Sequence, residues 1–266
     1  RRARVMMEFV RLLNRDMDKL AEALSREHGK TIPDAKGDVQ RGLEVIEVCM
    51  GAPAFLKGEM TDNAGPGIDI YAMRQALGVV AGITPFNFPA MIPLWKMGPA
   101  LASGNAMILK PSERVPSTSL FLAELLKEAG LPDGVLQVVN GDKEIVDGIL
   151  DNETIQGVGF VGSTPIAQYI YGRAAANGKR AQCFGGAKNH MIIMPDADLD
   201  KAADALVRTL EKYLEEETVR AAILQATLSE AQRQPVLLAA SPEQWPRYWP
   251  AAIAGLSLLT TAAGTR

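Results

Sequence analysis

The stretch from Leu77 to Glu113, LGVVAGITPFNFPAMIPLWKMGPALASGNAMILKPSE, constrains the chain more than any other. Leu77–Ile83 is a short apolar run interrupted by glycines, as expected of a strand buried on both faces. Thr84-Pro85-Phe86-Asn87-Phe88-Pro89 is too rich in proline to extend it, which leaves Asn87 at a strand end with a helix starting behind it. Asn105–Leu109 reads as a second strand, closed by Lys110-Pro111-Ser112-Glu113. In open α/β sheets ligands gather at the carboxyl ends of strands, so Asn87 and Lys110 are both candidate site residues.

The flanking chain fits the same architecture. Val5, Phe9, Leu12, Leu13, Leu20 and Leu24 recur at helical spacing and predict one amphipathic helix over about 3–27. Pro33 separates it from a second helix over 34–50. His28, at the end of the first helix, is expected beside the last carbonyls rather than in catalysis. A strand is expected over Ile68–Met73. Beyond Glu113, helices are predicted over about 116–130, 144–151 and 164–177, and strands over Val135–Val139, Ile155–Val161, Arg180–Phe184 and Met191–Met194. Strands alternating with helices at these intervals indicate a mostly parallel α/β sheet.

Composition narrows the function. A formal net charge of -3 and the absence of a long basic run give nucleic-acid binding no electrostatic support. Two cysteines, Cys49 and Cys183, cannot form a disulfide framework, and a reducing compartment, cytoplasm or mitochondrial matrix, is expected. The least polar stretch near the end, Ala251–Gly264, falls short of the roughly 20 apolar residues a spanning helix needs. No membrane association is expected. The opening Arg-Arg-Ala-Arg, without a methionine and already helical in pattern, reads as a fragment starting downstream of its true beginning.

One pattern match is weaker than it looks. Gly157-Val158-Gly159-Phe160-Val161-Gly162 fits GxGxxG, but its first two glycines lie inside a late strand instead of the turn after a first one. Tight strand packing accounts for them. Gly162-Ser163-Thr164, at the strand-to-helix junction, is the better phosphate candidate, because a small-residue turn before a helix presents backbone N–H groups and a positive dipole end.

PFNFP, then PALASGN, then KPSE resemble the aldehyde dehydrogenase superfamily, and in particular its CoA-acylating methylmalonate-semialdehyde dehydrogenases. The resemblance implies a variant Rossmann cofactor domain preceded by helices over 1–207, with NAD as cofactor and coenzyme A as co-substrate. The substrate it implies is a small semialdehyde, methylmalonate or malonate semialdehyde. Family members are homo-oligomers. Asn87 matches the donor to the oxyanion of the thiohemiacetal; without the motif, an asparagine capping the following helix would be the plainer reading. Thr84, Phe86, Lys110, Ser112, Glu113, Gly162 and Ser163 match cofactor-binding positions, with Lys110 and Glu113 on the adenosine ribose. A carboxylate there accepts from ribose hydroxyls and repels a 2′-phosphate, which favours NAD over NADP. Arg41 matches, by place in the chain alone, an arginine that holds the substrate carboxylate; a solvated arginine is the simpler alternative. Ala76 and Ala167 depart from the family's usual proline and glycine.

Two further departures bear on activity. Most of the family carries a glutamate just before the glycine pair as base for water attack; Gln182-Cys183-Phe184 has no carboxylate, which suits thiolysis by coenzyme A. Cys183 itself reads as a small buried residue. After about Val207 the resemblance ends, and residues 208–266 contain no cysteine, so the nucleophilic cysteine is expected to be absent, together with the catalytic domain. That last segment, with its helical stripe to Leu228 and its Trp245–Pro250 cluster, reads as a mainly helical or disordered tail. An inactive truncated enzyme, a non-catalytic NAD-binding module and a decayed gene product are the three readings left open.

Overall fold

The computed structural model describes residues 1–186, 193–194, 196–198 and 200–202. The chain divides into two units, Arg1–Gly186 and Ala187–Arg266. In the second, the described residues show a short turn in which Ala202 donates its backbone N–H to Asp198. The strand expected over Met191–Met194 and the tail over 208–266 lie largely or wholly outside the described residues.

Three helices open the first unit: α1 (Arg2–Arg15), α2 (Met17–His28) and α3 (Ile32–Met50). The single helix expected over 3–27 is in fact two, broken at Asp16. Aspartate is a poor interior helix residue because its short carboxylate finds partners outside the helical ladder. Here that carboxylate, nearly buried, takes Arg15 and Lys19, and Arg15 reaches on to Glu128 of a later helix. The stripe continues across the break, burying Phe9, Leu12 and Leu13 on one side and Leu20 and Leu24 on the other. Gly29, at φ 86°, closes α2 in the left-handed conformation glycine tolerates best. Thr31 then caps α3, with Pro33 in its first turn.

A short helix α4 (Ala52–Phe55) leads into a two-stranded antiparallel ribbon, β1 (Glu59–Gly65) and β2 (Ile68–Ala72). The second strand was expected and the first was not. EMTDNAG shows no alternation of apolar and polar residues, because almost the whole ribbon faces solvent and no buried side imprints one.

The main sheet is all parallel, in the order β5-β4-β3-β6-β7: β3 (Val79–Ile83), β4 (Ala106–Lys110), β5 (Leu136–Val138), β6 (Ile155–Val161) and β7 (Arg180–Phe184). Helices α5 (Met91–Ala102), α6 (Pro116–Glu128), α7 (Lys143–Asp151) and α8 (Thr164–Ala176) connect the strands. Two cores result. One joins α1–α3, α5 and α6 to Met107 and Leu109 of the sheet, and the other joins α7 and α8 to Ala81, Ile83, Val158 and Phe160. Ala81 and Ile83 face one core while Val80 faces the other, which is why β3 reads as a continuous apolar run.

Helix α5 is wedged between the sheet and α3. A methyl group on Gly42 of α3 would overlap Leu94 Cδ1 outright and come within 2.9 Å of Leu94 Cβ, and one on Gly98 would meet Cys49 Sγ at 3.0 Å. Gly159 has a related task. A Cβ there would sit 3.1 Å from Lys96 Nζ, so this glycine leaves room for a side chain from α5. The first part of the GxGxxG match is therefore strand packing, as expected.

Candidate functional site at a topological switch point

Strand order locates the site. From β3 the chain runs outward through β4 to β5, then returns to the other side of β3 for β6 and β7. The reversal falls between β3 and β6, and a crevice forms at the carboxyl ends of strands at such a point. Ile83 pairs with Lys110 on one side and with Phe160 on the other, so the turns after β3, β4 and β6 are neighbours. Thr84, Lys110 and Gly162 thus come together at the end of the sheet.

After β4, Lys110 is buried and donates to Glu113 Oε2 at 3.0 Å, with the glutamate about half exposed. Glu113's own backbone amide and the Lys110 ammonium hold its carboxyl below the ordinary value of 4.5. Ser112 is buried, and its Oγ accepts from the Arg114 amide at 3.3 Å, which fixes the turn that presents Glu113.

After β3, Thr84 donates its backbone N–H to Lys110 O at 3.1 Å, tying the two strand ends together. Thr84 Oγ1 and Asn87 Oδ1 are both buried and have no hydrogen-bond partner among the described residues. Buried polar atoms without partners are costly and therefore uncommon, so two on one turn mark a place where something else bonds. Phe86 is about half exposed. His28 lies parallel to its ring at 6.3 Å and the Arg114 guanidinium sits 5.3 Å from the ring centre. The expectation that His28 would serve the last carbonyls of its helix is corrected here. Both ring nitrogens are buried without a partner among the described residues, and the ring backs Phe86.

After β6, Gly162 donates its backbone N–H to Phe184 O at 3.0 Å, and Ser163 is the N-cap of α8. The Ser163 side chain makes no capping bond, so the N-terminus of α8 is left without its usual side-chain acceptor. A hollow of about 260 Å³ opens alongside, lined by Thr164, Gln168, Tyr171 and Cys183. A larger one, about 340 Å³, lies over the other face against Leu77, Trp95 and Lys96; it belongs to the amino-terminal half of the sheet and not to the switch point.

Arg41 stands on α3, exposed, and its carbonyl accepts from Trp95 Nε1 at 3.1 Å. Its place is on the helical layer and not on a strand end. Cys183, on β7, is half buried, and burial pushes its thiol up while the Lys96 charge opposes this less strongly. Burial alone raises the Cys49 thiol. Both shifts run away from an activated thiolate. The GGAKNH loop beyond Gly186 lies outside the described residues. Among the described residues no cluster of histidine, cysteine and carboxylate groups could hold a metal ion, and no helix is long and apolar enough to cross a membrane.

A parallel sheet with this switch point, a Lys–Glu pair after one strand and an uncapped helix after another, all preceded by helices, defines an α/β unit of the doubly wound kind. The aldehyde dehydrogenase family profile matches residues 1–213, and the chain belongs to that family. The malonate-semialdehyde dehydrogenase of Pseudomonas aeruginosa is 55% identical over 207 residues, 78% of this chain and 42% of that protein. A protein of Dictyostelium discoideum, described as probable methylmalonate-semialdehyde/malonate-semialdehyde dehydrogenase, acylating and mitochondrial, is 50% identical over 205 residues, 77% of this chain and 39% of that one. A crystal structure from Sinorhizobium meliloti 1021, provisionally assigned as a methylmalonate-semialdehyde dehydrogenase and complexed with NAD, is 68% identical with a TM-score of 0.75. It covers 78% of this chain and 42% of its own. The chain thus spans about two fifths of the length of these relatives.

Proposed function

We propose that this chain binds NAD at the β3/β6 switch point and represents the cofactor-binding part of a CoA-acylating methylmalonate- or malonate-semialdehyde dehydrogenase. The observation that carries the reading is the meeting of three strand-end turns at the carboxyl edge of the sheet, with Thr84 Oγ1 and Asn87 Oδ1 left without partners among the described residues. Lys110 and Glu113 offer a donor and a carboxylate to the ribose hydroxyls. Ser163 and the open N-terminus of α8 offer amides and a positive dipole end to the pyrophosphate. Thr84 and Asn87 supply buried atoms that a bound ligand would satisfy. When bound, NAD accepts a hydride; the chain's own residues bind and orient it. In the assembled enzyme Asn87 would donate to the oxyanion at the reacting carbonyl, worth roughly 2.7–4 kcal/mol of barrier. Arg41 would take the substrate carboxylate and coenzyme A the acyl group. A reducing compartment, cytoplasm or mitochondrial matrix, suits a protein with two unpaired thiols.

A second reading, that of a non-catalytic NAD-binding module, is favoured by the thiols. The chain's two cysteines are Cys49 and Cys183, both with raised pKa, and covalent aldehyde oxidation needs an activated thiolate. The chain beyond residue 213, where the family match ends, would then be a tail unrelated to the family. Calorimetry of the folded chain with NAD, NADP and AMP tests the binding. NAD should bind in the high micromolar to millimolar range, AMP should compete, and NADP should bind more weakly. No heat with millimolar NAD would end the proposal. Turnover of methylmalonate semialdehyde with CoA, abolished by Cys183→Ala, would end the non-catalytic reading.

A further inference from the structure

Helix α5 begins without a cap of its own. Its N-cap residue is Ala90, which makes no side-chain bond to the first turn. The missing acceptor comes from another helix: Asp38 of α3 takes the Met91 amide on Oδ1 at 2.8 Å. Its other oxygen faces Lys30 Nζ at 3.1 Å, and the same ammonium lies 4.2 Å from the centre of the Phe88 ring. The Asp38 side chain is fully buried and that of Lys30 is 10% exposed. Burial pushes the Asp38 carboxyl up, with the Met91 amide and the Lys30 ammonium opposing it.

A buried ion pair is a poor way to add stability, because desolvation offsets most of the attraction and an apolar pair of equal volume often does as well. What this pair does instead is fix geometry. The turn after β3 is held at its start by the bond from Thr84 N–H to Lys110 O, and at its end by Lys30 under Phe88 and Asp38 on Met91. Between these anchors lie Phe86, about half exposed, and Asn87, whose buried Oδ1 has no partner among the described residues.

We propose that Asp38, held by Lys30, is a positioning residue that caps α5 from α3 and thereby sets the Thr84–Pro89 turn in the geometry that receives the dinucleotide. The proposal rests on the NAD reading above for its ligand, but its structural half can be tested alone. Hydrogen exchange on the full chain, followed by mass spectrometry, reports the turn directly. In Asp38→Ala, amides over 84–92 should exchange roughly tenfold faster, the scale of a lost bond to a charged acceptor. Peptides from β4 and α6 should stay at the wild-type rate. The double variant Asp38→Asn with Lys30→Met should restore slow exchange, since asparagine still offers Met91 an oxygen and no buried ammonium is left unpaired. Calorimetry then separates positioning from general damage: NAD should weaken about tenfold in Asp38→Ala while AMP, held by Lys110 and Glu113, keeps its affinity.

Unchanged exchange over 84–92 in Asp38→Ala would overturn the proposal, as would failure of the asparagine double variant to rescue it. Equal loss of NAD and AMP would reduce Asp38 to a structural residue and overturn it too. Wild-type chain that binds no NAD would end the functional reading but not the exchange result. If Asp38→Ala does not fold, Lys30→Met, which keeps the aliphatic stem, should show the same faster exchange confined to 84–92; wild-type exchange in that variant would refute the mechanism.

Discussion

Two glycines in one helix should respond to the same substitution with opposite signs. Gly37 and Gly42 both lie within α3. A methyl group on Gly37 would meet nothing within 4 Å, so Gly37→Ala should show only the helix-propensity gain, about 0.5–1 kcal/mol of added stability. At Gly42 the methyl would lie 2.9 Å from Leu94 Cβ and overlap Cδ1, in a side chain that is fully buried. Overpacking of this kind costs about 1–3 kcal/mol. After subtraction of the propensity gain, Gly42→Ala should lose up to about 2.5 kcal/mol, which for a unit of this size lowers Tm by up to about 10 °C. Urea unfolding with a constant m value would measure both. In a Leu94→Ala background the cost of Gly42→Ala should shrink by about 1 kcal/mol without vanishing, because the Cβ of residue 94 remains. If Gly42→Ala stabilises the chain as much as Gly37→Ala, the close seating of α5 on α3 is wrong.

Glu113→Ala should weaken NAD and AMP together, by about fivefold for a half-exposed charged acceptor. Because its folded pKa lies below 4.5, the charge and the Lys110 pair persist above that value and are lost only as pH falls through the depressed one. The ratio of wild-type to Glu113→Ala affinity should therefore be constant from pH 7 to 5; a fall within that window would contradict the assignment. The two thiols should label with iodoacetamide more slowly than free cysteine at pH 7, Cys183 before Cys49, since burial raises both and Cys183 is the more accessible. Faster labelling than a free thiol would show an activation that the structure does not explain.

Elements buried on both sides could be read from the residues almost as they stand. Ile155–Val161 has the bounds its pattern suggested, because an apolar run and its bounding turns are local signals. The break at Asp16 was hidden by a stripe that continues across it, and the ribbon strand Glu59–Gly65 by a lack of any buried face. At the site, motif residues next to strand ends were legible for the same local reason. Asp38 and Lys30 were not, since the Asp38–Met91 bond joins residues that only the fold brings together. The residues even offered a local alternative, Asn87 as cap of the following helix, whereas α5 starts after Ala90 and Asn87 Oδ1 has no partner among the described residues.

The strand order also dictates when the crevice can exist during folding. Strands β3, β4 and β5 are joined in sequence by single crossovers, and so are β6 and β7. The β3–β6 pairing is different, for it must close a loop roughly three times as long as β3–β4, at an extra entropic cost of about 1 kcal/mol. Each half of the sheet can therefore assemble from nearby chain before the two meet. Residues 79–110 and 155–163, which supply the two walls of the crevice, become neighbours only at that last closure. A dinucleotide bridging them would act as a clasp on the slowest-forming seam of the sheet, and would retard unfolding more than it speeds folding.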